Sequence, residues 1–575
     1  MTLSEDRTLG LTDRKSGAVM NEAAAFLSQE LKFCILCRKM TLVRGMLMKL
    51  SLLLQNVIFR QICGSCDICV SDIIYDSRKM VPGAVFVCLV GANVDGHDFI
   101  EDVVEGGAAA VVVQQGSPWN GQNPGEFREK KVQKGSWKEE DKVTIIEVEN
   151  TREALGEMSR AFFDFPERKM TLIGITGTKG KTTAATMLRA VLEEAGINTG
   201  IMGTTGVSTG KQEFPACNTT PESYLVQKYL SMMAKDGCQA AVMEVSSQGL
   251  MCGRVTGVHF DYGIFTNIYP DHIGPGEHRD FDDYIYWKGR LFTQCSVGIV
   301  NGMDENVKKA LLGHTCALET FGSDNCDWWV ENIQVCRADK KDPKPWGLGV
   351  RFKVCAAGRD LPDAQTFTLG VPGRYNVMNA LPVIAAARHM GISGAVIERA
   401  LADVRISGRC EVLGEYHEGH FIIDYAHNGK SLETMLQTLR EYQPHRLICI
   451  FGCGGNRSVL RRTQMARAAL HCADVLIITT DNPRYEAPSA IIHDIVSEIE
   501  KNLKEEPEIC GHVTYYVVED RREAIAFGLQ LMEPGDIVVL AGKGHEDYQE
   551  IRGKKYPFDE HRIVREQICL MCKKG

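Results

Sequence analysis

The sequence predicts an α/β protein of three domains built on mostly parallel sheets, preceded by an N-terminal extension. Three observations predict it. The 575 residues are too many for one hydrophobic core. Short apolar runs alternate with helical patterns along most of the chain, as in strands joined by crossover helices. One glycine-rich turn, Gly177-Thr178-Lys179-Gly180-Lys181-Thr182-Thr183, stands between such a run and a helix.

Residues 1–47 have no clean period and read as an extension, with Met48 a plausible alternative start. Residues 48–168 form a first α/β domain, with buried strands expected at Val85–Leu89, Ala108–Val113 and Val143–Val148. The polar stretch Gln114–Lys142 reads as a long surface loop or disordered insertion. Residues 169–405 form a central domain, with strands at Ala240–Val245, Tyr262–Phe265 and Val297–Val300 and a polar insertion at Arg337–Pro345. Residues 406–575 form a third, Rossmann-like domain, with strands at Phe421–Asp424, Arg446–Phe451, Val475–Thr479 and Ile537–Ala541.

Composition fits an ordinary globular enzyme: 44% hydrophobic, 24% charged, net charge −9. The negative balance, without a basic stripe, argues against a nucleic-acid binder. Leu42–Leu54 is apolar but broken by Arg44 and Lys49, short of the ~18 apolar residues of a membrane span. The 21 cysteines are scattered, mostly in apolar runs. Cys63, Cys66 and Cys69 have metal-ligand spacing but no nearby fourth ligand, so free thiols in a reducing cytosol are the expectation.

The chemistry starts at the turn. Leu172, Ile173 and Ile175 read as a strand, and Thr182, Met187, Leu188 and Val191 as the following helix. Loop N–H groups and the helix N-terminus then face one point, a cradle for phosphate. Lys181 can reach the β- and γ-phosphates of a nucleotide, and the Thr182 hydroxyl can bind Mg²⁺. The loop is a variant, because Ile175 stands where the usual pattern has glycine and the glycines fall at 174 and 177. Glu244 ends a strand and is placed to hold the metal, although alone it would read as a solvated acid. His272 is a second candidate for metal or phosphate. Lys288, on an amphipathic helix, reads from spacing as a surface charge. Four polar turns follow four strands of the last domain, at Asp424–Asn428, Gly452–Arg457, Asp481–Arg484 and Gly542–Glu546. Together they predict a ligand site on one rim.

In order, several segments carry a family resemblance: Asp76-Ser77-Arg78, Pro82-Gly83, Phe86, the 177–183 loop, Asn218–Pro221, Met243–Leu250 and Arg254. The series continues through Phe265–Asn267, Asp271-His272, Asn376, Gly408-Arg409, Asp424–His427, Phe451–Gly455, Asp481–Arg484 and Gly542–Glu546. From about Met48 to near its end the chain resembles the Mur ligases, ATP-dependent amino-acid ligases of peptidoglycan synthesis. It departs from their usual pattern at Gln248, Cys252, Asp271–His278 and Asn428-Gly429.

The resemblance implies a cytoplasmic, monomeric enzyme that is not integral to a membrane. Its reaction would join meso-diaminopimelate to UDP-N-acetylmuramoyl-L-alanyl-D-glutamate through an acyl phosphate, with L-lysine or another diamino acid as the rival amine. A folate-polyglutamylating ligase and a silent scaffold are more distant alternatives. The first domain would hold UDP, near Ser77 and the Ala92–Val94 turn. Gly177, Thr178, Lys179, Gly180, Lys181, Thr182 and Thr183 would bind ATP, with Asn376, Arg409 and Asp424 also on the nucleotide. Thr182, Glu244, His272 and a carbamylated Lys288 would place Mg²⁺. Asn218, Thr219, Thr220, Ser246 and Arg254 would hold the muramoyl dipeptide. Arg457, Asp481, Asn482, Pro483, Arg484, Gly542 and Glu546 would hold the incoming amino acid, with Arg484 meeting the distal carboxylate that lysine lacks.

Overall fold

The structure, a computed structural model, describes residues 47–91, 94–117, 143–274, 276–337, 347–358, 366–416 and 418–572. The expected N-terminal extension up to residue 46, Ala92 and Asn93 of the predicted UDP turn, and most of the two polar insertions lie outside them. The chain divides into two compact units, one ending at Asp164 and one starting at Phe165.

In the first unit five strands form one sheet: β1 (Phe59–Cys63), β2 (Ile73–Ile74), β3 (Val85–Val87), β4 (Ala110–Gln114) and β5 (Thr144–Val148). Their order is β1-β5-β4-β3-β2, parallel except for the β1–β5 pair. Strands β3 and β4 read as apolar runs because the parallel part of the sheet is covered on both faces. Phe86, Val111, Val113 and Ile145 pack with Val103 in its core. Helix α1 (Thr151–Phe162) starts where the Asn150 side chain accepts from the N–H groups of Arg152 and Glu153. Ser77 opens a short 3₁₀ turn capped by Asp76, which also accepts from Arg78 Nε at 2.8 Å. That contact holds the Asp76 carboxyl below the usual carboxylate range.

In the second unit an eleven-stranded sheet carries the phosphate loop. Its strands are β6 (Thr171–Thr176), β7 (Thr199–Gly203), β8 (Gly206–Ser208), β9 (Glu213–Phe214), β10 (Ala240–Glu244), β11 (Phe260–Phe265), β12 (Cys295–Asn301), β13 (Ala317–Gly322), β14 (Trp328–Arg337), β15 (Leu348–Ala356) and β16 (Thr366–Leu369). The order is β9-β8-β7-β10-β6-β11-β12-β13-β14-β15-β16, with β6 central. Strands β7, β10, β6, β11, β12, β13 and β14 run parallel; the outer strands turn back antiparallel. Helix α2 (Lys181–Glu194) buries Ala184, Met187, Leu188 and Val191 against Ile173, Ile175, Val242 and Ile264. Each of these side chains larger than alanine is worth about 1.5–3 kcal/mol of burial.

A six-stranded sheet follows: β17 (Glu411–Tyr416), β18 (Gly419–Asp424), β19 (Leu447–Phe451), β20 (Val475–Ile478), β21 (Thr514–Val517) and β22 (Ile537–Ala541), ordered β17-β18-β22-β19-β20-β21. All but β17 are parallel, so β18, β22, β19 and β20 end side by side. A hairpin of β23 (Tyr548–Ile551) and β24 (Lys554–Pro557) completes the unit. Tyr442 ties the two sheets together. Its hydroxyl donates to Gly349 O at 2.8 Å and accepts from Gly373 N at 3.2 Å.

Candidate active site

The phosphate loop leaves β6 and enters α2 between the neighbouring strands β10 and β11. Two of its glycines are dictated by space and backbone together. Gly177 has φ +146°, and a Cβ there would lie 2.0 Å from Thr266 Oγ1; Gly180 has φ +85°, with Asn379 Oδ1 at 2.2 Å. Ile175 is fully buried in the strand, which explains the variant spacing: the turn begins at Gly177. The segment after β11 clamps the loop. Lys179 N donates to Asn267 Oδ1 at 3.0 Å, and Thr266 Oγ1 and Asn267 Nδ2 donate to Lys179 O at 2.7 and 3.1 Å.

Glu244 is not the solvated acid that its position at a strand end would suggest. It is 1% exposed. Its Oε2 accepts from Thr182 Oγ1 at 2.9 Å and Thr204 Oγ1 at 3.1 Å, and its Oε1 from Thr204 N at 2.9 Å. A buried carboxylate bonded to the hydroxyl at the head of a phosphate-loop helix is a hard-oxygen donor pair suited to Mg²⁺.

Lys288 also overturns the reading from spacing. It sits on α3 (Phe281–Gly289) but is 2% exposed, with Nζ 4.6 Å above the Tyr284 ring. Lys288 Nζ and Lys181 Nζ both donate to Gly177 O, each at 2.8 Å. Burial, and secondly the charge of Lys181, hold the Lys288 amine well below the usual lysine range; Asp271 opposes them. Burial lowers Lys181 too, with Glu244 opposing.

A cavity of about 360 Å³ opens beside Lys181. It is lined by Lys181, Thr204, Ala216, Cys217, Asn218, Thr219, Ser246, Ser247, Gln248, Arg254 and His272. Thr219 Oγ1 meets Thr204 Oγ1 at 3.1 Å, so the lining connects to Glu244 through one hydroxyl. Thr220 is buried, donates to Glu244 O at 2.9 Å and meets Ser246 Oγ at 3.1 Å. Arg254 Nη1 donates to Thr220 O at 3.0 Å. His272 is exposed, in left-handed backbone (φ +55°), and its Nδ1 faces Glu277 Oε1 at 3.1 Å. The longer Asp271–His278 loop turns its second histidine inward. His278 is fully buried against Asp283 and Tyr284, and burial lowers its pKa.

On the nucleotide side, Asn376 is buried, donates to Pro372 O at 2.7 Å and accepts from Asn379 Nδ2 at 3.0 Å, next to Gly180. Arg409 stacks 4.7 Å over the Tyr425 ring. Both oxygens of Asp424 accept backbone N–H bonds, from Cys410 and Ala426. Burial raises its pKa, with Arg409 opposing.

The four polar turns meet at the carboxyl ends of β18, β22, β19 and β20. Asn482 Nδ2 donates to Glu546 Oε2 at 2.8 Å, and the buried Lys543 bonds both residues at 3.2 and 3.3 Å. Arg484 Nη1 donates to Gly455 O at 2.9 Å. A Cβ on Gly542 would fall 2.4 Å from Asp481 Oδ2, so that close approach needs glycine. Pro483 is buried and Arg457 exposed. Spacing gave no role to Thr204, Asn267 or Lys543; only the strand-end position of Asn267 and the glycines around Lys543 hinted at one. Cys63 and Cys66 donate to Val143 O and Gln61 Oε1.

No helix among the described residues is long and apolar enough to cross a membrane. Family models match the chain in three stretches: "Mur ligase family, catalytic domain" at residues 70–163, "Mur ligase middle domain" at 175–387 and "Mur ligase, glutamate ligase domain" at 408–544. The chain is 36% identical over 524 residues to the UDP-N-acetylmuramoyl-L-alanyl-D-glutamate--2,6-diaminopimelate ligase of Clostridium perfringens, covering 90% of this chain and 99% of that protein. It is also 36% identical over 506 residues to the ligase of the same description from Clostridium botulinum, covering 87% and 95%. A solved structure of a UDP-N-acetylmuramoyl-L-alanyl-D-glutamate--2,6-diaminopimelate ligase superposes with TM-score 0.61 at 25% identity, covering 92% of this chain and all of that one.

Proposed function

The chain belongs to the Mur ligase family, and from that premise we propose that it joins meso-diaminopimelate to UDP-N-acetylmuramoyl-L-alanyl-D-glutamate with hydrolysis of ATP, in the cytoplasm. One observation carries the reading: a single cavity is lined by the phosphate-loop lysine, Lys181, and by Asn218, Thr219, Ser246 and Arg254, so a nucleotide γ-phosphate and a polar second substrate can meet there.

The D-Glu side-chain carboxylate is a poor acylating agent. Its oxygen attacks the γ-phosphorus, ADP departs, and the acyl phosphate now carries a good leaving group. The amine of the second amino acid attacks the acyl carbon, phosphate leaves and the nitrogen loses its proton. The 177–180 loop and the α2 N-terminus cradle the phosphates, and Lys181 neutralises charge on the phosphoryl in transit. Asn376, Arg409 and Asp424 frame the nucleotide. Ser77 serves the UDP group, and Thr220 and Ser246 fix the cavity wall. Thr182 and Glu244, with His272, would hold Mg²⁺, whose charge when bound offsets that of the phosphates.

Lys288 has the chemistry to be carbamylated. Two lysines donate to one carbonyl oxygen, so both cannot be comfortably charged. A neutral Lys288 amine can add CO₂, release a proton and become an anion beside Lys181⁺, which turns repulsion into attraction. Arg457, Asp481–Arg484, Gly542 and Glu546 would seat the amine substrate, with Arg484 meeting its distal carboxylate.

The test is phosphate release with ATP, the UDP-muramoyl dipeptide and meso-diaminopimelate. All three substrates are required in the wild type, and Lys181→Ala lowers turnover at least about 100-fold, the scale of removing a charge aimed at the transition state. Unchanged turnover would refute the phosphate assignment.

A further inference from the structure

The β23–β24 hairpin is fastened to the Asp481–Arg484 turn at five points. Arg484 N donates to Glu550 O at 3.0 Å, Glu550 N to Asn482 Oδ1 at 2.9 Å, and Gln549 Nε2 to Asp481 O at 2.7 Å. The fourth is Arg552 N, in the hairpin's turn, donating to Arg484 O at 2.6 Å, and the fifth an ion pair, Arg484 Nε to Glu550 Oε2 at 3.1 Å. Arg484 itself stands in left-handed backbone at φ +52°, a conformation arginine keeps only where its surroundings hold it.

The pairing leaves a defined set of groups free. Arg484 uses Nε on Glu550 and Nη1 on Gly455 O, and its Nη2 has no partner among the described residues. Glu550 accepts through Oε2, and its Oε1 has no partner among them either. Both side chains are about a quarter exposed, at 22% and 24%. Glu546 has its Oε2 held by both Asn482 and Lys543, and its Oε1, like that of Glu550, has no partner among the described residues.

We propose that Arg484 and Glu550 form one receptor for the zwitterionic far end of the incoming amino acid, in which Glu550 is a specificity-determining residue that reads the ammonium. This rests on the reading of meso-diaminopimelate as the amine substrate. The argument is one of charge. A lone arginine would welcome any amino acid with a distal carboxylate. With Glu550 fixed on Arg484, the pair is neutral overall. A bare carboxylate must compete with Glu550, and the bare ammonium of lysine meets the guanidinium. Only an end carrying both groups on one carbon satisfies Nη2 and Oε1 together, so rejection of the one-charge analogues is built into the pair.

The experiment uses the full chain with ATP and the UDP-muramoyl dipeptide, and offers meso-diaminopimelate or 2-aminopimelate, which lacks the distal amine. Glu550→Gln, which keeps the shape and removes the charge, raises KM for meso-diaminopimelate about tenfold, the value of one charge-assisted hydrogen bond, with kcat within about twofold. It leaves KM for 2-aminopimelate unchanged or lower, and Glu550→Asp restores part of the preference. KM for ATP stays constant in both variants, and their melting temperatures report folding. If Glu550→Gln raises KM equally for both acceptors, Glu550 merely orients Arg484 and the proposal is overturned; an unchanged ratio with both KM values unmoved overturns it as well. Should Glu550→Gln not fold, Glu550→Asp decides: a preference for meso-diaminopimelate fully retained by a carboxylate one methylene short overturns the proposal, and a diminished one supports it. If the wild type releases no phosphate with meso-diaminopimelate but does so with lysine, the substrate reading itself has failed and the proposal falls with it.

Discussion

Glu244→Gln separates stability from catalysis, because the proposed function gives the carboxylate a second task beside the one it has in the fold. In the fold it accepts three hydrogen bonds, from Thr182 Oγ1, Thr204 Oγ1 and Thr204 N. A glutamine can keep them. Its carbonyl oxygen takes the Oε1 place against Thr204 N, and its amide can donate to a threonine hydroxyl that has rotated to accept. Each bond weakens by about 1 kcal/mol on losing the charge, about 3 kcal/mol in all. Against that, the variant no longer buries a charge that is 1% exposed, a cost of several kcal/mol. The two terms nearly cancel, so the melting temperature moves by a few degrees at most. Catalysis has no such offset. The charged donor beside the phosphate loop is gone, and kcat/KM for ATP falls by about 10²–10³. The assay is phosphate release with all three substrates, alongside thermal unfolding of the same preparation. A variant that unfolds far below the wild type, or that keeps kcat/KM within about threefold of it, refutes this division of roles.

The remaining predictions concern the lysine pair and the loop. The Lys288 amine is depressed below its ordinary value of 10.5. Between the folded and unfolded pKa the unfolded chain binds the extra proton, so stability rises with pH in that window. Lys288→Met removes this cost; in CO₂-free buffer its stability advantage over the wild type therefore shrinks as pH climbs from 7 toward 10.5, as followed by denaturant melts. A constant difference would contradict a neutralised Lys288. Gly177→Ala puts a methyl 2.0 Å from Thr266 Oγ1 at φ +146° and should cost at least about 3 kcal/mol, measured by urea unfolding; a loss under about 1 kcal/mol would mean the loop is not held as described.

Much of the fold was legible because buried parallel strands have little freedom of composition. Runs such as Val85–Val87 and Ile537–Ala541 are apolar throughout, since both faces are covered. The phosphate loop was legible because Gly177 and Gly180 are the residues that left-handed backbone and close packing demand. What spacing could not supply lies in contacts between distant segments. Glu244 is a buried, hydrogen-bonded acid because Thr204, forty positions earlier, wraps around it. Lys288 faces inward because α3 turns Tyr284 and Lys288, one helical turn apart, toward the loop, a direction that polarity reverses. Strands β15 and β16 went unassigned, and the β23–β24 hairpin too, since Lys554–Pro557 is exposed and alternates no apolar face. Yet that hairpin fixes Arg484, which a motif alone presents as a free guanidinium.

The proposed reaction turns on phosphorylation of the substrate carboxylate by ATP. The direct measurement uses UDP-muramoyl dipeptide labelled with ¹⁸O in the D-Glu side-chain carboxylate, ATP and meso-diaminopimelate, with the released phosphate read by mass spectrometry. An acyl-phosphate route places one labelled oxygen in each phosphate formed. Unlabelled phosphate alongside amide product would contradict it.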